Sequence, residues 1–443
     1  MTSFRKYNRI SCYICLAKLI IMKKLTIICA AFLSGAVAAG AQTFFSWSPN
    51  DREAKVKFQY DVNFEYNFDN REFDKGDELF TESATLYGAR LTPSIGLKLN
   101  QNRNTSHKII AGIDVMKEFG KSPVKVNGSP EADKGLENTR MFRELTLYYG
   151  IESKIGRWKV KGYAGMFPRY LCEGDYSKAF YSDSLKFYDN NLEGALIKAY
   201  GPKSFFELSF DWNGKYGQDR REQFIVASYG KHDFTNWFSL GYALKYHHYA
   251  NTEKYGSVVD DGLVQPFARF GFEYFAGIQD LSLTLSWYQA FQSDRRLENG
   301  GRTPGGTEIG IGLRNWNVGL RNDLYIGKNL MPFYNSIDDG GFKYGNSVYT
   351  GSPFYRVTPF SEGEWSLYDR LEVFYEPHIA DFLDLRLSIV AHFPDGFRYA
   401  GMQQKLSLVF NLDRLLNPET PRRQSARRTR KKTTNPNEIF LGI

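Results

Sequence analysis

From Val56 to Phe68, apolar and polar positions alternate without a break. Val56, Phe58, Tyr60, Val62, Phe64, Tyr66 and Phe68 are apolar or aromatic, and Lys57, Gln59, Asp61, Asn63, Glu65 and Asn67 between them are polar or charged. Only a β-strand places alternate residues on opposite faces, so this stretch predicts one strand with an apolar wall and a polar wall. At about 3.3 Å per residue it reaches roughly 43 Å, whereas strands of soluble proteins usually run about 5–6 residues. A tilted strand crosses a bilayer in about 9–11 residues. Length and pattern together predict a transmembrane strand.

The same parity recurs along the chain. Tyr87, Ala89, Leu91, Ile95, Leu97 and Leu99 alternate with Gly88, Arg90, Thr92, Ser94, Gly96 and Lys98. Comparable runs lie around Ile109–Val115 (with Ile110 off pattern), Leu145–Ile151, Trp158–Ala164, Phe206–Trp212, Phe238–Tyr246, Phe270–Tyr274, Leu281–Trp287, Leu383–Ala391 and Leu406–Leu412. Weaker runs cover 191–200, 223–230, 308–314, 316–326 and 366–377. Connections alternate in length. Those at 69–82, 120–140, 168–190, 214–222, 250–262, 292–307, 327–365 and 394–400 are long. Those at 100–106, 154–157, 201–203, 231–235, 276–280, near Asn315 and at 378–381 are short. Outer-membrane barrels have short periplasmic turns and longer outer loops. The expectation is an all-β fold: a transmembrane antiparallel up-and-down β-barrel of about sixteen strands (range roughly 14–18), both ends periplasmic. The connection 327–365 leaves room for one more hairpin. Pro93 and Pro266 fall inside strands and cannot donate to a ladder, so each predicts a bulge or a missing bond.

Alternation alone does not say which face is inside. The polar face is densely charged in mid-strand, which favours a lumen lined by Lys57, Asp61, Glu65, Arg90, Lys98, Lys108, Asp114, Lys161, Glu207, Asp211, Lys245, Arg269, Glu273, Asp384, Arg386 and Lys405, with Phe58, Val62, Phe64 and Leu385 toward lipid. With Lys159, Glu144, Glu152 and Glu372 on the same polar face, acidic and basic residues roughly balance, so only slight ion preference is expected.

The ends change the meaning of the charge. Met22-Lys23-Lys24, the apolar stretch Leu25 to Leu33 and Ala39-Gly40-Ala41 before Gln42 read as a secretory signal peptide over 1–41, with Met22 an alternative start. Residues 42–412 then form the barrel, and 413–443 a basic, disordered periplasmic tail. The formal charge of +8 belongs to these ends: the leader carries six Lys/Arg and no acid, the tail eight Lys/Arg and three acids, which leaves −3 for 43–412. Nucleic acid is therefore not an expected partner. Three of four cysteines lie in the leader, so Cys172 is left alone and no intramolecular disulfide is expected.

Catalytic and metal signatures are weak. The histidines His107, His232, His247, His248, His378 and His392 show no H-E-x-x-H or paired Cys/His spacing, and no G-x-S-x-G elbow occurs. Adjacent His247 and His248 on a strand face opposite ways and cannot chelate together. No cofactor, no metal and no enzyme activity are expected. The densest unusual stretch, Tyr163 to Glu222, mixes aromatics, acids and arginines. Arg169, Asp175, Tyr181, Arg220 and Arg221 are its candidate ligand residues, against the plainer reading of an ordinary outer loop.

On the Met22–Ala41 signal, the repeated dyad strands and the alternating loops, the chain resembles the porin-like outer-membrane β-barrel proteins of Gram-negative bacteria. The resemblance is architectural, covers about 43–412 and carries no family motif. It implies an outer-membrane location, contact with lipid and lipopolysaccharide, insertion by the barrel-insertion machinery, and passage of small hydrophilic solutes or binding of glycans. One departure is the tail of about 31 residues after Leu412, where such barrels usually end on an aromatic residue. A pore for small hydrophilic solutes is the first expectation, a surface-binding or assembly barrel with a loop-closed lumen the second, an outer-membrane enzyme the third. The 327–365 segment is the main candidate for narrowing the pore.

Overall fold

The computed structural model describes residues 56–73, 83–120, 142–218, 220–250, 252, 258–338, 340–341, 343–357, 364–394, 396–412 and 415. The chain divides into two units. One holds residues 1–55 with 101–103, of which only the turn at 101–103 is described. The other, 56–100 with 104–443, is the barrel. The expected signal peptide, nearly all of 120–140 and the tail apart from Leu415 lie outside the described residues.

The strand segments are β1 Val56–Phe73, β2 Ala84–Asn100, β3 Thr105–Glu118, β4 Phe142–Ile155, β5 Trp158–Pro168, β6 Asn191–Tyr200, β7 Ser204–Gly214, β8 Gln223–Asp233, β9 Phe238–Tyr249, β10 Val259–Phe275, β11 Ile278–Asp294, β12 Gly301–Arg302, β13 Gly305–Asn315, β14 Val318–Gly327, β15 Ser366–Tyr375, β16 His378–Ala380, β17 Leu383–Pro394 and β18 Gly401–Asn411. Two of these eighteen are short additions: β12, two residues beside the end of β11, and β16, three residues beside β17. The other sixteen are 10–18 residues long and pair antiparallel with their chain neighbours. β1 pairs with β2 on one side and β18 on the other, so the sheet closes without an edge. The fold is a closed sixteen-strand up-and-down barrel. No further hairpin occurs among the described residues of 328–365, which hold a short helix, a 3-10 turn and one isolated bridge between Ile337 and Lys343.

Both prolines are resolved by missing bonds. The β2–β3 ladder skips Thr92 and Pro93 and resumes in the same register, and the β10–β11 ladder skips Gln265 and Pro266 likewise. Neither forms a bulge there, so the side-chain parity survives. The tightest turns use left-handed backbone: φ is +60° at Gly156, +80° at Gly277 and +55° at Trp316. Such turns match the twist of the strands they join.

The faces are those of a membrane barrel. Leu145 and Leu147 are each 61% exposed on the outside, while Thr146 between them is 6% exposed inside. Val56, Phe58, Ile95, Leu97, Ile109 and Ile389 are likewise outward, and Asn63, Arg90, Asp114, Glu207, Lys245 and Arg370 are inward and buried. A soluble barrel would bury the first set. Ile110, off pattern in sequence, points inward against Tyr148 and Leu196.

Candidate functional site

Two long connections leave the wall and fold into the lumen. The first, 169–190, starts as a 3-10 turn (Arg169–Leu171) and carries helix α1, Asp183–Tyr188. Its base is closed by the Arg169 N–H donating to the Asn190 carbonyl at 2.6 Å. The Arg169 guanidinium holds Asp189 at 2.6 Å and Asp211 at 3.2 Å. Glu207 on β7 accepts from the backbone N–H groups of Glu173 at 2.5 Å and Gly174 at 3.2 Å. Residue 174 has to be glycine, because a Cβ there would stand 2.8 Å from Tyr229 Cβ. Asp175 then meets Arg269 on β10 at 2.8 Å, and Ser177 and the Tyr288 hydroxyl on β11 share a hydrogen bond at 2.8 Å. Ser182 caps α1 by accepting from the Leu185 N–H. Asp183 pairs with Lys178 and, at 2.6 Å, with Lys405 on β18. Arg71 on β1 donates to Ser184 at 2.8 Å, and Arg90 on β2 to the Phe187 carbonyl at 2.5 Å. The loop thus crosses the lumen and is pinned to walls on both sides.

The second connection, 328–357, holds helix α2, Gly345–Val348, and the turn Pro353–Arg356. Tyr344 hydrogen-bonds Asp294, His247 Nδ1 donates to the Val348 carbonyl at 2.7 Å, and Lys245 donates to Thr350 at 2.9 Å while pairing with Asp261 at 3.1 Å. Phe354 stacks on His392 with ring centres 4.1 Å apart. Glu308 accepts from Tyr288 at 2.8 Å and Tyr355 at 2.5 Å. The two loops also bond to each other: the Ser182 N–H to the Thr350 carbonyl and the Ser352 N–H to the Lys178 carbonyl, both at 2.8 Å. Phe180, Tyr344, Val348 and Phe354 are buried as completely as a soluble core. Between the first loop and the β10–β14 wall a recess of about 40 Å³ remains, bordered by Asp175, Ser177, Arg269, Thr284, Glu308 and Arg321.

The placement of the remaining sequence candidates is mixed. Glu65 faces Arg90 across β1–β2, and Arg90 lies 3.4 Å from Asp114, which accepts from Asn191. Asp211 also accepts from the Glu193 N–H. Arg386 joins Glu372 and Glu376, each at 2.9 Å. Asp61 accepts from Asn411, and Asp384 opposes His378. Lys57 and Glu273 are exposed near the short-turn rim, with Lys98 half-buried. Of the loop candidates, Tyr181 is buried and Arg169 half-buried in the loop, Arg221 pairs with Asp338 at 2.8 Å, and Arg220 is exposed. Asp175 alone of the five borders the recess. Sequence reasoning missed Lys178, Arg321, Asp323 and Arg370. The first sits in a loop with no periodicity, and the others lie on strands with weak alternation.

Charges in the inward loop are set by burial and neighbours. Burial raises the Asp183 carboxyl, but Lys178 and Lys405 outweigh it, and the group sits well below the usual carboxylate range. Burial pushes the Cys172 thiol up, helped by Glu207, so it is a poor nucleophile. Among the described residues, no group of three or more His, Cys, Asp or Glu is arranged to hold a metal ion. Ser204 and His232 meet at 2.7 Å, but on the outward face, away from the lumen. His247 and His248 do face opposite ways: one reaches Val348, the other Asp260.

A closed wall, apolar outside and charged inside, with loops folded into the bore, decides the architecture. It is a porin-like β-barrel. No protein-family model matches the chain, and no curated protein matches it by sequence. Among solved structures, the barrel is similar to OmpT, an outer membrane protein of Vibrio cholerae, at 5% identity and TM-score 0.47, covering 82% of this chain and 99% of that one. It is also similar to OmpF of Salmonella typhi in complex with daunomycin (8%, TM-score 0.42, 80% and 97%) and to OpdK from Pseudomonas aeruginosa (10%, 0.38, 80% and 98%). The barrel itself stands on this chain's own strand ladder.

Proposed function

We propose that this chain is an outer-membrane pore that passes small hydrophilic solutes through a bore narrowed by its own loops. The observation that carries this is the inverted wall: apolar residues such as Leu145, Leu147 and Ile389 face outward, while charged residues from Lys57 at the short-turn rim to Asp69 and Arg90 near the long loops face the bore, among inward aromatics such as Tyr229 and Tyr288. Sixteen strands enclose an aqueous channel unless something fills it. Here the filling is held by hydrogen bonds and ion pairs, not by strands. The same reading places the barrel in the outer membrane, delivered by the 1–41 signal and the insertion machinery, among lipid and lipopolysaccharide. It assigns no catalytic step. Purified protein in a planar bilayer should show discrete single-channel currents.

A second reading is supported by the burial of Phe180, Tyr344, Val348 and Phe354 and by the loop–loop bonds. In it the loops close the lumen and present a surface that binds a glycan or a protein. Silence of both the intact chain and a chain lacking 338–352 in the bilayer would favour it, and a carbohydrate array would then identify the ligand.

A further inference from the structure

We propose that Lys57, Lys98 and Lys108 form a binding site for a small polyanion, a phosphorylated or polycarboxylated solute, on the lumen wall near the short turns. Lys57 is the direct partner of Lys98 across β1–β2, and Lys98 of Lys108 across β2–β3. Directly opposed residues share a face, with Cβ atoms about 4.5–5.5 Å apart, and like charges so placed are destabilising. Three ammonium stems therefore stand in one row about 10 Å long, at roughly 4.8 Å per strand. All three have the inward parity of Asn63 and Thr92, so the row faces the bore and not the lipid.

The row is anomalous within this barrel. Lys245 has Asp261 at 3.1 Å, Lys405 has Asp183 at 2.6 Å and Lys198 has Glu173 at 2.5 Å. Among the described residues, Lys57, Lys98 and Lys108 have no such carboxylate. Glu152 on β4, whose charge reaches Lys98 and Lys108, pairs directly with Lys159 at 2.6 Å. Lys161, directly opposite Glu152, adds a fourth positive charge beside the row. Lys108 is also positioned. Its stem lies flat over Gly150, where a Cβ would come 2.7 Å from Lys108 Cε. Its ammonium lies 5.1 Å from the Tyr163 ring centre and 5.8 Å from that of Tyr148. Two ring faces steady a cation without neutralising it. The repulsion along this row is relieved by any ligand that brings several anionic oxygens. Lysine supplies compact, rotatable donors that accept phosphate or carboxylate without a fixed fork geometry.

This site rests on the pore reading for its role, since it names the solute class, but its binding is measurable without conduction. The test is calorimetric titration of sodium pyrophosphate into the purified full-length barrel in a non-ionic detergent at low salt. The intact protein should bind pyrophosphate, and more weakly as salt rises. K57Q/K98Q/K108Q should bind at least about tenfold more weakly, three screened charge contacts together, and K57R/K98R/K108R should retain binding. Heat-modified gel mobility of each variant reports an intact barrel. In bilayers, the intact pore should select chloride over potassium, and the glutamine variant should move toward potassium. No binding to the intact protein, or equal binding by the folded glutamine variant, overturns the site. Binding without conduction leaves the site standing and overturns the pore alone.

Discussion

The two sides of the lumen wall solve opposite problems. On the β8–β17 side the loops press against the wall, and the buried inward charges there have partners. Arg370 stands between Glu372 at 3.0 Å and Asp323 at 3.5 Å, Arg386 bridges Glu372 and Glu376, and Glu308 accepts from two tyrosines. On the β1–β3 side near the short turns Lys57 is exposed, Lys98 is half-buried and Lys108 lies against the Tyr148 and Tyr163 rings, and the three face one another with no acid between them. Burial explains the difference. A charge taken out of water costs several kcal/mol unless it is paired and hydrogen-bonded, whereas a charge that keeps its water tolerates a like neighbour at a modest penalty. The exposed, unpaired Lys57 therefore marks a part of the bore that stays wet, and a buried, paired lysine such as Lys245 marks the part that the loops have dried.

Removing the cover should break the contrast most. Deleting 338–352 takes away Tyr344, Val348 and Thr350, and with them the bond from Ser182 to Thr350 that holds the first loop to the second. Single-channel conductance should rise several-fold, because a sixteen-strand bore is otherwise water-filled. An unchanged conductance would mean that the first loop alone sets the width.

Single side chains should show the same asymmetry in stability. Phe354→Ala leaves a hole between His392 and Tyr368 and should cost about 3–5 kcal/mol if the loop cannot collapse into it. Lys57→Gln, at an exposed position, should change stability by less than about 0.5 kcal/mol. Urea unfolding in lipid vesicles compares the two directly. Equal costs would show that the loops are not packed as a core. On the outer face, Val62→Arg should cost about 2–4 kcal/mol if the site lies near the bilayer midplane, and far less if this face is in water.

The strand plan was legible because one rule, period two with an apolar face, is repeated sixteen times. It even survived Pro93 and Pro266, where the ladder drops bonds and keeps register. Lumen residues on strands followed from parity alone. The constriction did not. Nothing in Asp175, Lys178 or Asp183 as a sequence says that the loop turns inward, because the forces holding it come from Glu207, Arg269 and Lys405, separated from it by tens to hundreds of residues. The charge balance was silent on the lysine row for a related reason. Counting residues gave a neutral lumen, but charges act in pairs, and pairing is decided by cross-strand register. The row Lys57, Lys98 and Lys108 becomes visible once the β1–β2 and β2–β3 registers are known.

The smallest expected effect concerns acid. Asp183 holds the first loop to β18 through Lys405 and to its own chain through Lys178. Its carboxyl is raised by burial but lowered further by the two lysines, so its value in the folded barrel lies well below that in the unfolded chain. A carboxyl depressed on folding stabilises the fold at every pH above its unfolded value of about 3.9. That contribution fades as pH falls from there toward the folded value. The anchor should be intact at pH 5 to 8 and weaken below about pH 4. The amount should be on the order of 1 kcal/mol, because both partners keep part of their surface in water. Unfolding midpoints of the intact protein and Asp183→Asn should differ at pH 7, and the gap should narrow steadily as pH falls below about 4. A gap that does not narrow at all below about pH 4 would mean that Asp183 acts through shape and hydrogen bonding and not through charge.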